Sequence, residues 1–95
     1  MKLPIVSTDI QMRFSDTDAL GHVTSACYLN YLEIGRADFF IELSKSAPVT
    51  NNAVVNANID YISEVVYGEA VRVVTWCSRM GNKSMTLSAE VYANE

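Results

Sequence analysis

Positive charge is scarce in this chain and never clusters: seven Lys and Arg stand against eleven Asp and Glu, for a net charge of −4. That balance excludes the basic surface that non-specific nucleic-acid binding requires, and it leaves no cationic run to grip an anionic membrane. Cysteine is as sparse. Cys27 and Cys77 form neither a CxxC pair nor a ligand cluster, so buried free thiols are expected rather than a disulfide. A single histidine, His22, leaves a hydrolytic zinc site without its usual donors, and no metal site is expected. No apolar run is long enough for a signal segment or a membrane span, which predicts a cytoplasmic protein.

What is present is enough to fold. The 95 residues are 49% hydrophobic and 19% charged, far from the composition of a disordered chain. No linker, repeat or low-complexity segment divides them, so residues 1–95 read as one small domain whose stability a partner subunit would help.

Alternation predicts four strands. The first runs from Asp9 to Phe14, with Ile10, Met12 and Phe14 on one face and Asp9, Gln11 and Arg13 on the other. Val55, Ala57, Ile59 and Tyr61 mark the second, Val71, Val73, Thr75 and Cys77 the third, and Met85, Leu87, Ala89 and Val91 the fourth. Gly81-Asn82 fits a tight antiparallel hairpin between the last two. From about Ala26 to Leu43 the period becomes helical, with Tyr28, Leu32, Gly35, Phe39 and Leu43 on one stripe. Cys27, Tyr31, Ile34, Phe40 and Ile41 widen the apolar surface, so this helix wants cover on more than one side. Gly35 in mid-helix points to a close approach by a strand or another helix. Pro48 ends the helical region. The sum is an α+β layer architecture, an antiparallel sheet wrapped on one long helix.

Between the first strand and the helix lies Arg13-Phe14-Ser15-Asp16-Thr17-Asp18-Ala19-Leu20-Gly21-His22-Val23-Thr24-Ser25. Carboxylates, a glycine turn and a fresh helix N-terminus combine a potential base or nucleophile with backbone N–H donors that can polarise a carbonyl. Thr24 or Ser25 can supply the N-cap oxygen. Asp16 is expected to hold the loop by accepting backbone hydrogen bonds, and Glu33 and Arg36 to form a local ion pair. Tyr28 and Trp76 read as packing residues able to line a pocket.

The run RFSDTDALGHV, followed by Tyr28, Leu32 and Glu33 and later by GNKSM at 81–85, resembles the hotdog-fold acyl-CoA thioesterases of the 4-hydroxybenzoyl-CoA thioesterase group. The resemblance covers nearly the whole chain. It implies a hotdog sheet around a central helix, a homodimer or homotetramer, and hydrolysis of an acyl-CoA thioester to a carboxylate and free coenzyme A, which is substrate and not a retained cofactor. Asp18 matches the family's catalytic carboxylate, as nucleophile or general base. The backbone N–H of Ser25 matches the carbonyl polariser. His22 would help orient substrate, and Lys83 and Ser84 match a position that can contact the nucleotide phosphates. Two departures accompany the match: Thr24 stands where many relatives have Asn, and the final strand usual in the family is not in these 95 residues. The alternatives are a hotdog module that binds acyl-CoA without catalysis, or a small oligomerisation domain.

Overall fold

The computed structural model describes residues 3–46, 58–59, 63–81 and 84–94. The chain opens with strand β1 (Ile5–Ile10), passes through a single 3-10 turn at Phe14–Asp16, and enters helix α1 (Ser25–Ser44). Strands β2 (Val71–Met80) and β3 (Met85–Ala93) follow. Among the described residues the sheet is antiparallel in the order β1-β2-β3, with Ile10 opposite Val71, Ile5 opposite Trp76 and Val73 opposite Val91. The second expected strand, around 55–61, falls almost wholly outside the described residues, as does Pro48.

Helix α1 lies on the face of the sheet that carries Thr8 and Ile10 of β1 and Val71, Val73 and Thr75 of β2, all buried. Its own buried side is Tyr28, Tyr31, Gly35, Phe39 and Leu43. Gly35 is the point of closest approach. A Cβ placed there would sit 2.8 Å from both Thr75 Oγ1 and Val73 Cγ1, which is why the stripe carries glycine in mid-helix despite its poor propensity. Away from the sheet α1 also exposes Leu29, Ile34 and Ile41, so its apolar surface extends beyond the stripe that the sheet covers, as the sequence indicates. The expected Arg36–Glu33 pair forms at 3.0 Å.

The hairpin between β2 and β3 closes where expected, the Gly81 N–H donating to the Ser84 carbonyl at 2.8 Å. A register shift between Cys77 and Arg79 leaves Ser78 out of the ladder, a β-bulge that bends β2 before the turn.

The first strand differs from the expected one. It ends at Ile10 instead of running to Phe14, and begins well before Asp9. The Asp16 N–H returns to the Arg13 carbonyl at 2.9 Å, a local turn that competes successfully with continued pairing. Met12 still packs against the core, but Phe14 is 74% exposed and sets its ring edge-on to Tyr67 at 5.5 Å. Thr24 is the N-cap of α1, yet its hydroxyl makes no capping bond.

Candidate active site

The loop from Arg13 to Thr24 is organised around Asp16, whose side chain is 3% exposed. Its Oδ2 accepts the Arg13 backbone N–H at 3.1 Å and the Tyr31 hydroxyl at 2.8 Å. Its Oδ1 accepts Arg13 Nη2 at 2.9 Å and Nε at 3.2 Å, with Cys27 Sγ at 3.7 Å. Burial pushes this carboxyl up. The Arg13 N–H, the Tyr31 hydroxyl and the Arg13 guanidinium more than offset that, and Asp16 ends below the ordinary 3.8. Asp16 also accepts the Thr24 N–H on its backbone carbonyl at 2.9 Å, tying the loop to the start of α1. The expected backbone bond is present, and the Tyr31 hydroxyl adds a partner from the core.

Asp18, two residues on, is exposed. Its Oδ1 accepts the N–H groups of Leu20 at 2.9 Å and His22 at 3.1 Å, an Asx-type turn closed by Asp18 N–H to the His22 carbonyl at 2.9 Å. The His22 N–H and then the Leu20 N–H hold this carboxyl below its ordinary value. Oδ2 accepts no hydrogen bond from any described residue, so one oxygen is anchored and the other open. Gly21 takes a positive φ of 79° to close the turn.

A segment that carries no local signal supports this loop from outside. The Val23 N–H donates to the Val65 carbonyl at 2.8 Å, and the Tyr67 N–H to the Gly21 carbonyl at 2.7 Å. Tyr28 Oη accepts the Val65 N–H at 2.9 Å from inside the core. Half-buried His22 places Nδ1 3.0 Å from Glu64 Oε2, an ion pair when the imidazole is protonated.

Ser25 is the first residue of α1, at the positive end of the helix dipole. Asp18, His22 and Ser25 therefore gather in one loop and the helix end it leads into. Ser84 does not join them. It is exposed at the hairpin end of β2, whereas the Asp18 loop adjoins the Val71 end, so the length of β2, roughly 30 Å at about 3.3 Å per residue, separates them. Lys83 lies outside the described residues. Tyr28 is a buried packing residue with a bonded hydroxyl, whereas Trp76 alternates to the sheet face away from α1. Cys27 and Cys77 are both free thiols and only partly buried, less than expected. Among the described residues no helix is long and apolar enough to cross a membrane, and no group of three or more His, Cys, Asp and Glu side chains could hold a metal ion.

Comparison with known proteins gives this loop and fold a context. The hotdog arrangement is shared with solved thioesterases. A predicted thioesterase of Bacillus stearothermophilus superposes with a TM-score of 0.81 at 28% identity, over 96% of this chain and 70% of that one. A thioesterase of Thermus thermophilus, solved with coenzyme A and zinc, superposes with a TM-score of 0.78 at 30% identity, over 93% of this chain and 67% of that one. In sequence, YsmA of Bacillus subtilis, itself uncharacterised, is 30% identical over 80 residues, 82% of this chain and 54% of its own length. YneP of Bacillus subtilis, inferred to be an acyl-CoA thioesterase, is 33% identical over 73 residues, 72% of this chain and 53% of its own. The chain spans about half the length of these two curated relatives. The model of the thioesterase superfamily matches residues 20–95, and the chain belongs to that superfamily.

Proposed function

We propose that this chain hydrolyses acyl-CoA thioesters, with Asp18 as the attacking carboxylate. The observation that carries the reading is the asymmetry of Asp18: Oδ1 is pinned by two backbone N–H groups while Oδ2 takes no bond from a described residue, on an exposed side chain in the loop that leads into the N-terminus of α1. A thioester carbonyl needs an oxygen nucleophile on one side and a donor for the developing oxyanion on the other. Asp18 Oδ2 supplies the first, and the Ser25 N–H, backed by the dipole of α1, supplies the second.

The N–H bonds that hold Asp18 ionised also make it a weak base, since a useful general base titrates near the working pH. They favour direct attack over water activation. In that route Oδ2 bonds to the thioester carbon, the C–S bond breaks, and coenzyme A leaves as the thiolate, which takes a proton from solvent. Water then cleaves the resulting mixed anhydride, releasing the acyl group as a carboxylate and restoring Asp18. His22, held by its contact to Glu64, borders the turn and would orient the ester.

Ser84, with Lys83, would meet the nucleotide end of the same substrate from a second copy of the chain, because within one chain the sheet separates Ser84 from Asp18. A homodimer or homotetramer is therefore part of the proposal, with the cytoplasm as its compartment. The Thermus relative solved with coenzyme A supports the substrate class.

The test is thiol release from short, long and aromatic acyl-CoA esters, with wild type beside Asp18→Asn. Release that falls by at least about 10²-fold in the variant supports the reading. Retained hydrolysis in Asp18→Asn removes Asp18 from the chemistry. Saturable ester binding without release from any ester points to a binding module.

A further inference from the structure

We propose that Tyr31 and Asp16 form a positioning clamp that sets the spacing between the Asp18 carboxylate and the Ser25 N–H. The clamp rests on the thioesterase reading above and adds to it a pair of residues that never touch substrate. Its geometry is a three-way junction. The Asp16 side chain takes the Tyr31 hydroxyl at 2.8 Å, its backbone carbonyl takes the Thr24 N–H at 2.9 Å, and its backbone N–H returns to the Arg13 carbonyl at 2.9 Å. Asp18 lies two residues beyond this junction on one side. Ser25 lies one residue beyond its Thr24 arm on the other.

Both partners are locked by burial. Tyr31 is 3% exposed and packs in the core with Tyr28, Val65, Val71 and Val73, so its ring cannot follow a wandering loop. Its hydroxyl reaches out of that core to the only carboxylate buried among the described residues. A carboxylate out of water is tolerated only when its oxygens are bonded, so the loop has one low-energy seat: Asp16 over Tyr31. Asp18 makes its own Asx turn to Leu20 and His22, but that turn fixes only its internal shape. Its far side, Gly21 to Val23, is braced by Val65 and Tyr67, and the arm that ties its near side to the first residues of α1 is Asp16. Small errors in such placement are costly in turnover, since the reacting atoms must meet near contact distance.

The clamp is tested with Tyr31→Phe, which removes one oxygen and keeps the buried ring, and with Asp16→Asn beside Asp16→Ala. Circular dichroism confirms that each variant is folded. In Tyr31→Phe, kcat for thiol release is expected to fall about 10- to 100-fold with KM within twofold, and Asp16→Asn, which keeps an acceptor, is expected to retain more kcat than Asp16→Ala. Amide hydrogen exchange supplies an arm that does not depend on turnover. The Thr24 N–H should exchange at least about tenfold faster in Tyr31→Phe, while the Val73 N–H in the middle of β2 does not change. Unchanged kcat, an equal rise in KM, or Thr24 exchange as slow as in wild type each overturn the clamp. A wild-type chain inert toward every ester overturns the thioesterase reading instead, and the exchange arm then decides whether Tyr31 and Asp16 hold the loop at all.

Discussion

Tyr28 Oη, projecting from the second turn of α1, accepts the backbone N–H of Val65 at 2.9 Å, inside a core where both residues are buried. The bond joins the helix to the chain segment that runs into β2. Tyr28→Phe would leave that N–H buried without its partner, a loss of about 1–3 kcal/mol. The expected result is a lower urea midpoint with an unchanged slope. A midpoint equal to wild type would mean that the segment relaxes toward solvent.

At Gly35 an added methyl would meet Thr75 Oγ1 and Val73 Cγ1 at 2.8 Å, and both belong to short side chains locked in the sheet. Gly35→Ala gains about 1 kcal/mol of helix propensity but must lift α1 off β2, and overpacking of this kind costs about 1–3 kcal/mol. The net expected from denaturant titration is destabilisation. An increase in stability would show that the helix can slide.

Gly21 presents the reverse case. No atom of the described residues lies within 4 Å of where its Cβ would be, but its φ is +79°. Gly21→Ala is therefore expected to cost about 1–2 kcal/mol through backbone strain alone. Gly21→Asn should cost less, because asparagine enters this region more readily. Thermal midpoints in the order glycine, asparagine, alanine check the argument.

Asp16 and Asp18 both lie below the ordinary value of 3.8, Asp16 despite burial and Asp18 through the His22 and Leu20 N–H groups. A carboxyl with a depressed folded pKa contributes stability that is complete above its unfolded value and lost as pH falls through the folded one. Stability should therefore hold steady down to about pH 5 and decline below it. Asp16→Asn should flatten that acid limb. Urea midpoints measured across the acid range read the difference, and a limb as steep as wild type would assign the acid sensitivity elsewhere.

Much of this architecture is legible from periodicity. The stripe from Tyr28 to Leu43 marks the helix to within a residue or two, Gly35 announces the close approach, and Gly81-Asn82 locates the hairpin. The first strand is misplaced because Met12 and Phe14 continue the alternation of Ile10 past the point where Arg13 and Asp16 turn the chain. Tyr31 counts as one more apolar residue on a broad face, since a pattern of hydrophobicity cannot report that its hydroxyl ends on Asp16. The Glu64–Tyr67 support of the Asp18 loop has no signal of its own. Apart from the Glu64–His22 contact it is made of backbone hydrogen bonds between distant stretches of chain, to which side-chain spacing is blind.

The junction at Asp16 also bears on the order in which the protein assembles. Arg13, Asp16, Thr24 and Tyr31 are near neighbours in the chain, so only short loops must close to bring them together, whereas Ile10 finds Val71 only after most of the chain has been searched. The loop that carries Asp18 can thus take shape on the nascent helix before the sheet closes beneath it. On this account changes at Asp16 or Tyr31 slow refolding, while changes in the β1–β2 ladder mainly hasten unfolding.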